Sequence, residues 1–406
     1  MQGSGLVSAT LWNQPNPGHS TLFDTASYDG PVPAEYVLSP GDVIVTMTDL
    51  SKQADTLGYS ATVPDSDFRF LHNQRVGKVT LKDHSADLSF IAWLMRTNGY
   101  RHEVLGSATG STVKHTSPGR ILSYSFKLPP VAEQQRISAV LSALDNKIEL
   151  NRRMNETLEA SARALFRDWF VDFGPTRAKA EGRSAYLAPD LWSLFPDSLG
   201  EDSAPKGWHS HTLSDLAHQH TATINPGATG EEVFEHYSLP AFDAGGSPAL
   251  DTGNSIKSNK TLVPAGAVLL SKLNPEISRV WVPNEKGEMR QIASTEFLAF
   301  VPKAPASGSL LFALFSDNAF RQTMEGMVTG TSKSHQRISP PALRAVEALV
   351  GSSTLFEAFE RTVGPMMKLM LQNRAETRKL VTTRDALLPK LMSGEIRVRD
   401  AEALAA

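Results

Sequence analysis

The chain repeats itself once, and a tandem repeat limits a fold more than any local pattern does. Residues 108–118 (ATGSTVKHTSP) return as residues 328–340 (VTGTSKSHQRISP), which sets Gly110 against Gly330 and His115 against His335, both 220 apart. Residues 38–49 (LSPGDVIVTMTD) are echoed by residues 263–274 (VPAGAVLLSKLN), with Gly41 against Gly266. Between these, residues 88–94 (LSFIAWL) resemble residues 309–315 (SLLFALF). Downstream, Asn151-Arg152 matches Asn373-Arg374 and Leu165-Phe166 matches Leu387-Leu388, both at a spacing of 222. Chance could supply any one of these pairs. Five in the same order, at offsets of 220 to 225, mark a duplication. At roughly 150 residues per domain, a chain of 406 residues then holds two like halves rather than one large domain.

Each half has two parts. The first, residues 1–128 and again 184–352, is rich in Gly, Pro, Ser and Thr. It carries short apolar runs such as Val43-Ile44-Val45 and Val268-Leu269-Leu270 bounded by turn residues, which predicts mixed α/β modules with several strands. The second part, residues 129–183 and 353–406, predicts one long helix, over about 131–173 and about 354–393. Pro129-Pro130 stops any preceding element and suits the start of the first.

In the first helix Ile137, Leu141, Leu144, Ile148, Asn151, Asn155, Leu158, Ala162, Leu165 and Trp169 alternate by four and three. The second repeats that seam with Phe356, Phe359, Val363, Met366, Met370, Asn373, Thr377, Leu380, Arg384, Leu387 and Leu391. A heptad pattern sustained this long favours helices that pair along their length. At 1.5 Å per residue a 40-residue helix spans about 60 Å. Asn on a seam lowers stability but specifies register. Ordinary bundle helices with tolerated polar residues are the alternative. The fold class expected is α+β: two mixed α/β modules separated by two long antiparallel coiled-coil helices, related by an internal pseudo-twofold.

Composition excludes several kinds of chemistry. Hydrophobic residues make up 41% and charged residues 20%, enough for a packed core. With no cysteine there are no disulfides, thiolate zinc sites or cysteine nucleophiles, which fits a cytoplasmic setting. No secretory leader is expected from the first residues, and no run of about 18 apolar residues occurs. His209, His211, His218 and His220 crowd together, but without helical spacing or cysteine they are not expected to bind zinc. There is no P-loop, no His-Glu-x-x-His and no Asn-Pro-Pro-Tyr-type amino-methylation motif, and Asp and Glu form no convincing metal set for a nuclease. Two similar modules held apart by a stiff spacer could read two separated sites, as the halves of a DNA-binding dimer do.

At residues 128–182 (LPPVAEQQRISAVLSALDNKIELNRRMNETLEASARALFRDWFVDFGPTRAKAEG) the chain resembles the central helical region of type I restriction-modification specificity subunits. Residues 378–398 (RKLVTTRDALLPKLMSGEIRV) are similar to their C-terminal helical region, residues 205–217 (PKGWHSHTLSDLA) to the opening of a second target-recognition domain, and residues 237–243 (YSLPAFD) to the strand that follows. The resemblance implies the following. Residues 1–128 and 184–352 would be target-recognition domains, each reading one half of a bipartite DNA site. Residues 129–183 and 353–406 would be spacers that measure the gap. The subunit would carry no catalytic residue and no cofactor or metal. Two modification subunits that bind S-adenosylmethionine and methylate adenine would dock on it, restriction subunits could join, and ATP and Mg2+ would act on those partners. One departure stands out. The second module has 28 residues, from Trp208 to Glu235, before its His-Tyr-Ser-Leu stretch, and the first has 18 before His19-Ser20-Thr21-Leu22. The repeat therefore predicts roughly ten missing residues at the start of the first module.

Contacts to DNA are expected on loops of the modules, where phosphate contacts set position and base-edge contacts supply sequence. The repeated glycine loops are the first candidates: Ser111, Thr112, Lys114 and His115 after Gly110, and Thr331, Ser332, Lys333, His335, Gln336 and Arg337 after Gly330. Glycine lets a backbone approach a phosphate closely, and Lys, Gln and Arg reach base edges. A polar turn is the plainer reading. A second set follows the buried strands: Thr46 and Thr48 with Asp49, and Lys272 and Asn274 with Ser271. Residues 184–354 hold twelve Lys/Arg against seventeen Asp/Glu, which is unlike a self-sufficient DNA binder. Weak DNA binding in isolation and tight binding in a complex is the expectation. The aromatic cluster Phe166, Trp169, Phe170 and Phe173 is read as packing, with a partner-docking patch as the alternative. The rival function is a structural coiled-coil adaptor with two binding modules.

Overall fold

The computed structural model describes residues 7–10, 25–28, 31–51, 54–110, 113–284, 289–329 and 336–405. The chain forms two compact units, Met1–Leu150 with Glu376–Ala406, and Asn151–Ala375. Each contains one α/β module and a stretch of both long helices, Val131–Phe166 and Ser353–Ser393.

In the first unit the strand Val43–Thr46 is buried on every residue and sits between Ser60–Thr62 and Val76–Val79, antiparallel to both. Its unbroken apolar run follows from having both faces covered. Val45 packs with Leu57, Tyr100 and Val104 on one side, while Ile44 packs with Leu38, Ala61 and Val76 on the other. A second sheet runs Thr25–Tyr28, Val7–Thr10, Arg69–Leu71, Val37–Leu38. The helix Leu88–Leu94 is capped by Asp87, whose carboxylate accepts from Phe90 N, and is followed by the helix Asn98–Gly106.

That capped helix lies against the long ones. Phe90 and Trp93 share a core with Ile137, Leu141, Leu144, Leu387, Leu388 and Leu391. Gln134 is fully buried, accepting from Asp87 N at 2.7 Å and donating to Ser85 O at 3.1 Å and Pro129 O at 2.7 Å. Asp145 receives Arg384 from the opposite long helix and Arg96, at 3.3 Å, from the module. Lys147 meets Glu376 at 3.4 Å, so the two helix stretches run antiparallel here.

The second unit repeats the order. The strand Val268–Ser271 is wholly buried, between Val280–Trp281 and Phe297–Pro302, and Ala217–His220 extends the sheet beyond the latter. The other sheet runs Thr223–Ile224, Lys260–Leu262, Arg290–Ala293, Val233–Tyr237, Ala249–Thr252. Helices Gly308–Ser316 and Asn318–Gly326 stand where Leu88–Leu94 and Asn98–Gly106 stand in the first. Residues 151–166 lie antiparallel on residues 353–375: Asn373 Nδ2 donates to Asn155 Oδ1 at 2.9 Å, Asn155 Nδ2 donates to Met370 O at 3.3 Å, and Arg374 pairs with Glu159 at 2.9 Å. The fold is thus α+β with a duplicated module and antiparallel helix pairing, as expected.

Three details differ from the sequence reading. The first long helix is α-helical to Phe166 and continues as a π-helical turn, Arg167–Val171, before Phe173 turns left-handed at φ 53°. The seam of the second helix runs Phe359, Val363, Met367, Met370, with Met367 buried and Met366 half-exposed. Two successive steps of four follow the 3.6-residue turn of a straight helix. Finally, Val7–Thr10 pairs antiparallel with Thr25–Tyr28 and parallel with Arg69–Leu71, just as Val233–Tyr237 pairs with Ala249–Thr252 and Arg290–Ala293. In the second module a strand beginning at His209 precedes Val233 by 24 residues. The pairing thus sets Val7 against Val233, where matching letters had set His19 against His236.

The aromatic cluster packs inward. Trp169 is fully buried, with Phe195 and Phe359 edge-on at 5.4 and 5.8 Å, and Phe170 meets Phe356 and Phe359. Among the described residues, no helix is long and apolar enough to cross a membrane, and no group of three or more His, Asp or Glu could hold a metal.

Candidate nucleic-acid interface

The two sets of candidate residues are brought together in each module, because the glycine loop folds back against the segment that follows the buried strand. In the first module Thr48–Asp49 pairs antiparallel with Lys114–His115. Thr48 Oγ1 lies 3.2 Å from His115 Nδ1, and Thr116 N donates to Met47 O at 2.9 Å. On its other side His115 bridges Thr109 through main-chain bonds of 3.0 and 2.8 Å. Gly110 makes this hairpin feasible: its φ is +99°, and a Cβ there would stand 1.9 Å from Val113 O.

The second module builds the same ladder. Ile338 N donates to Lys272 O at 3.1 Å, Asn274 N donates to Gln336 O at 2.9 Å, and Leu273 bridges Arg337. Thr329 pairs with Arg337 as Thr109 pairs with His115. The main-chain bonds Met47 N to Arg75 O, 2.8 Å, and Lys272 N to Glu296 O, 2.9 Å, fix the remaining correspondence. Position for position, Thr48 answers to Leu273, Lys114 to Gln336, His115 to Arg337 and Arg75 to Glu296. Aligning letters had paired His115 with His335. The ladders correct this, because Arg337 follows Thr329 by eight positions where His115 follows Thr109 by six.

The candidates differ in what they can offer. Lys114, Thr48, Lys272, Asn274 and Gln336 are half-buried at the ladder, and His115 and Arg337 are exposed. Thr46 is buried, and its hydroxyl donates to Thr56 O, so it holds the turn below Thr48. Asp49 is buried as well. It accepts from Ser51 N, Thr56 N and Thr56 Oγ1, each at 2.6 Å. Burial would raise its pKa, but these hydrogen bonds outweigh it and hold the carboxyl below the usual range. Ser271 is likewise turned in, donating to Leu273 O at 3.1 Å. Asn274 takes a left-handed backbone, φ 51°, which asparagine tolerates better than most residues. Ser111, Thr112, Thr331, Ser332, Lys333 and His335 lie outside the described residues.

Sequence reasoning missed two residues at the ladder, Arg75 and Glu296. Glu296 accepts from Arg337 Nε at 3.1 Å and from Nη2 at 2.9 Å, and this hydrogen bonding with the carboxylate charge raises the guanidinium pKa. Nothing in the spacing signals it: Glu296 is 41 residues from Arg337 and reaches it only through the sheet.

Residues 29–160 match the family described as the type I restriction modification DNA specificity domain. The HindI specificity subunit of Haemophilus influenzae is 24% identical, with 72% of this chain and 74% of that protein covered. The MjaIX specificity subunit of Methanocaldococcus jannaschii is 24% identical over 77% of this chain and 69% of its own length. Over about three quarters of its length the chain is similar to type I specificity subunits. The crystal structure of the type I restriction-modification S subunit from M. genitalium has the same fold, with a TM-score of 0.53 at 13% identity over 95% of this chain and 92% of that one. The match to the family model ends within the first long helix, while the ladder recurs in the second module beyond it.

Proposed function

We propose that this chain is the non-catalytic part of a type I restriction-modification complex that selects its DNA sequence, each module reading one half of an asymmetric bipartite site. The observation that carries this is the ladder built twice, with different side chains on matching main-chain hydrogen bonds. A shared frame with varied side chains suits two half-sites of different sequence. Thr48, Lys114, His115, Lys272, Asn274, Gln336 and Arg337 would contact DNA, together with Ser111, Thr112, Thr331, Ser332, Lys333 and His335 from the adjoining loops. Thr46 supports them from below.

The domains proposed are recognition modules at residues 1–128 and 184–352 and helical spacers at 129–183 and 353–406. The spacers set the gap and dock two adenine-methylating modification subunits, with restriction subunits as further partners in the cytoplasm. S-adenosylmethionine, ATP and Mg2+ would be used by those partners, not by this chain. An adaptor without DNA specificity would leave the doubled ladder unexplained.

The acidic balance of the second module predicts weak DNA binding by the free subunit. In a filter-binding titration at physiological salt, the free chain is expected to bind no tighter than about 1 μM, the range of non-specific binding. With modification subunits present, binding should be nanomolar and sequence-dependent. Nanomolar binding by the free chain would contradict the division of labour.

A further inference from the structure

The two ladders differ where they matter most: Arg75 holds in the first the main-chain position that Glu296 holds in the second, and in the second Glu296 pairs with Arg337. We propose that Arg337 reads a guanine in the second half-site and that Glu296 is the positioning residue that aims it. This rests on the reading that the ladder faces DNA.

Three observations converge. The main chain of Arg337 is held from two sides, by Thr329 and by Leu273, so its side chain starts from a fixed point. The Glu296 carboxylate takes Nε and Nη2 together, which fixes the plane of the guanidinium and the direction of its Nη1–Nη2 edge. That edge is the fork that matches O6 and N7 of guanine in the major groove. The pair is also displayed outward, with the Arg337 side chain 47% exposed and that of Glu296 21% exposed.

Charge decides between a base and a phosphate. A phosphate anchor works by net positive charge. Glu296 cancels that charge at 2.9 Å while leaving the donor geometry intact, so the pair is a poor phosphate anchor and a well-aimed base reader. The first ladder has the opposite character. Lys114 and His115 stand there, with Arg75 at the main-chain position of Glu296, and among the described residues no carboxylate is ion-paired to His115 as Glu296 is to Arg337, which suits backbone positioning.

The test co-expresses the full chain with its modification subunits and maps adenine methylation at base resolution for wild type, Arg337→Gln, Arg337→Lys and Glu296→Gln. Wild type should give a two-block motif with a required guanine in the block that module two reads. Arg337→Gln should leave the first block unchanged and lower discrimination at that guanine by roughly tenfold or more. Arg337→Lys keeps the charge but loses the fork, and should relax the same position; it decides the matter if the Gln variant fails to co-purify. Glu296→Gln should keep every letter of the motif while methylated fraction falls several-fold at limiting enzyme. Uniform loss of methylation with every letter retained in both Arg337 variants would make Arg337 a phosphate contact and overturn the proposal. So would relaxation at an A·T position or in the first block. A wild-type complex that methylates no motif would instead overturn the DNA-reading assignment on which this rests.

Discussion

Asp49 shows how the ladder depends on a residue that cannot itself touch a ligand. It is buried under the Thr48–Asp49 strand and accepts three hydrogen bonds from Ser51 and Thr56. Asp49→Asn keeps the shape but removes the charge and part of the accepting capacity, and should cost about 2 kcal/mol at neutral pH. Because the folded carboxyl lies below its ordinary value, its contribution is full above the unfolded pKa and is lost as pH falls through the folded one. Urea denaturation from pH 7 to pH 2.5 should therefore show variant and wild type converging below about pH 4; a constant difference would mean that shape, not charge, holds the turn. Residue roles were only partly legible in the sequence. Threonine at 46 and 48 reads alike, yet one hydroxyl is buried on Thr56 O and the other faces His115. Glu296 left no local trace, since its approach to Arg337 exists only after the strand starting at Phe297 has docked beside Val268–Ser271.

Between elements, the polar residues on the helix seams give the sharpest expectations. Asn155 and Asn373 bond to each other, with Asn373 buried. Asn155→Leu should cost about 1–3 kcal/mol by stranding Asn373, and the Asn155→Leu, Asn373→Leu double variant should recover most of it, read as the coupling term of a thermal-melt double-mutant cycle. Additive losses would mean that the pair does not work as a unit. Asp145 holds two cations, Arg96 with 8% and Arg384 with 13% of the side chain exposed. Burial works against the Arg384 charge, and Asp145 and Asp385 outweigh it, so its pKa is raised. Asp145→Ala should cost about 3 kcal/mol, and should loosen the helix Leu88–Leu94 from the long helices, visible as faster amide exchange at Trp93 and Arg96. The helices were readable because heptads persist over dozens of residues. Their ends were less so, and Pro365 and Pro389 inside the helix Ser353–Ser393 would have argued for breaks. Packing overrides them: Val363, Met367, Leu388 and Leu391 beside them are buried.

At the scale of the whole molecule, the duplication was the most legible feature, and its register the least. Matching letters set His115 against His335, while hydrogen bonding sets His115 against Arg337, because polar loops drift in length where a buried strand such as Val43–Thr46 cannot. If the spacers measure a gap in DNA, one heptad inserted into each long helix at matched positions lengthens them by about 10.5 Å. At 3.4 Å per base pair, the gap in the recognised motif should widen by about three base pairs, with both blocks unchanged. An unaltered gap would remove the spacers from that role. The claim at the centre is that this chain alone sets the sequence its complex modifies, and a base-resolution methylation map of cells with and without it, expressed beside its modification subunits, tests that directly. A new asymmetric motif of two short blocks with a fixed gap, methylated on adenine in both, is the expected result. No new motif from a complex that co-purifies intact would contradict it.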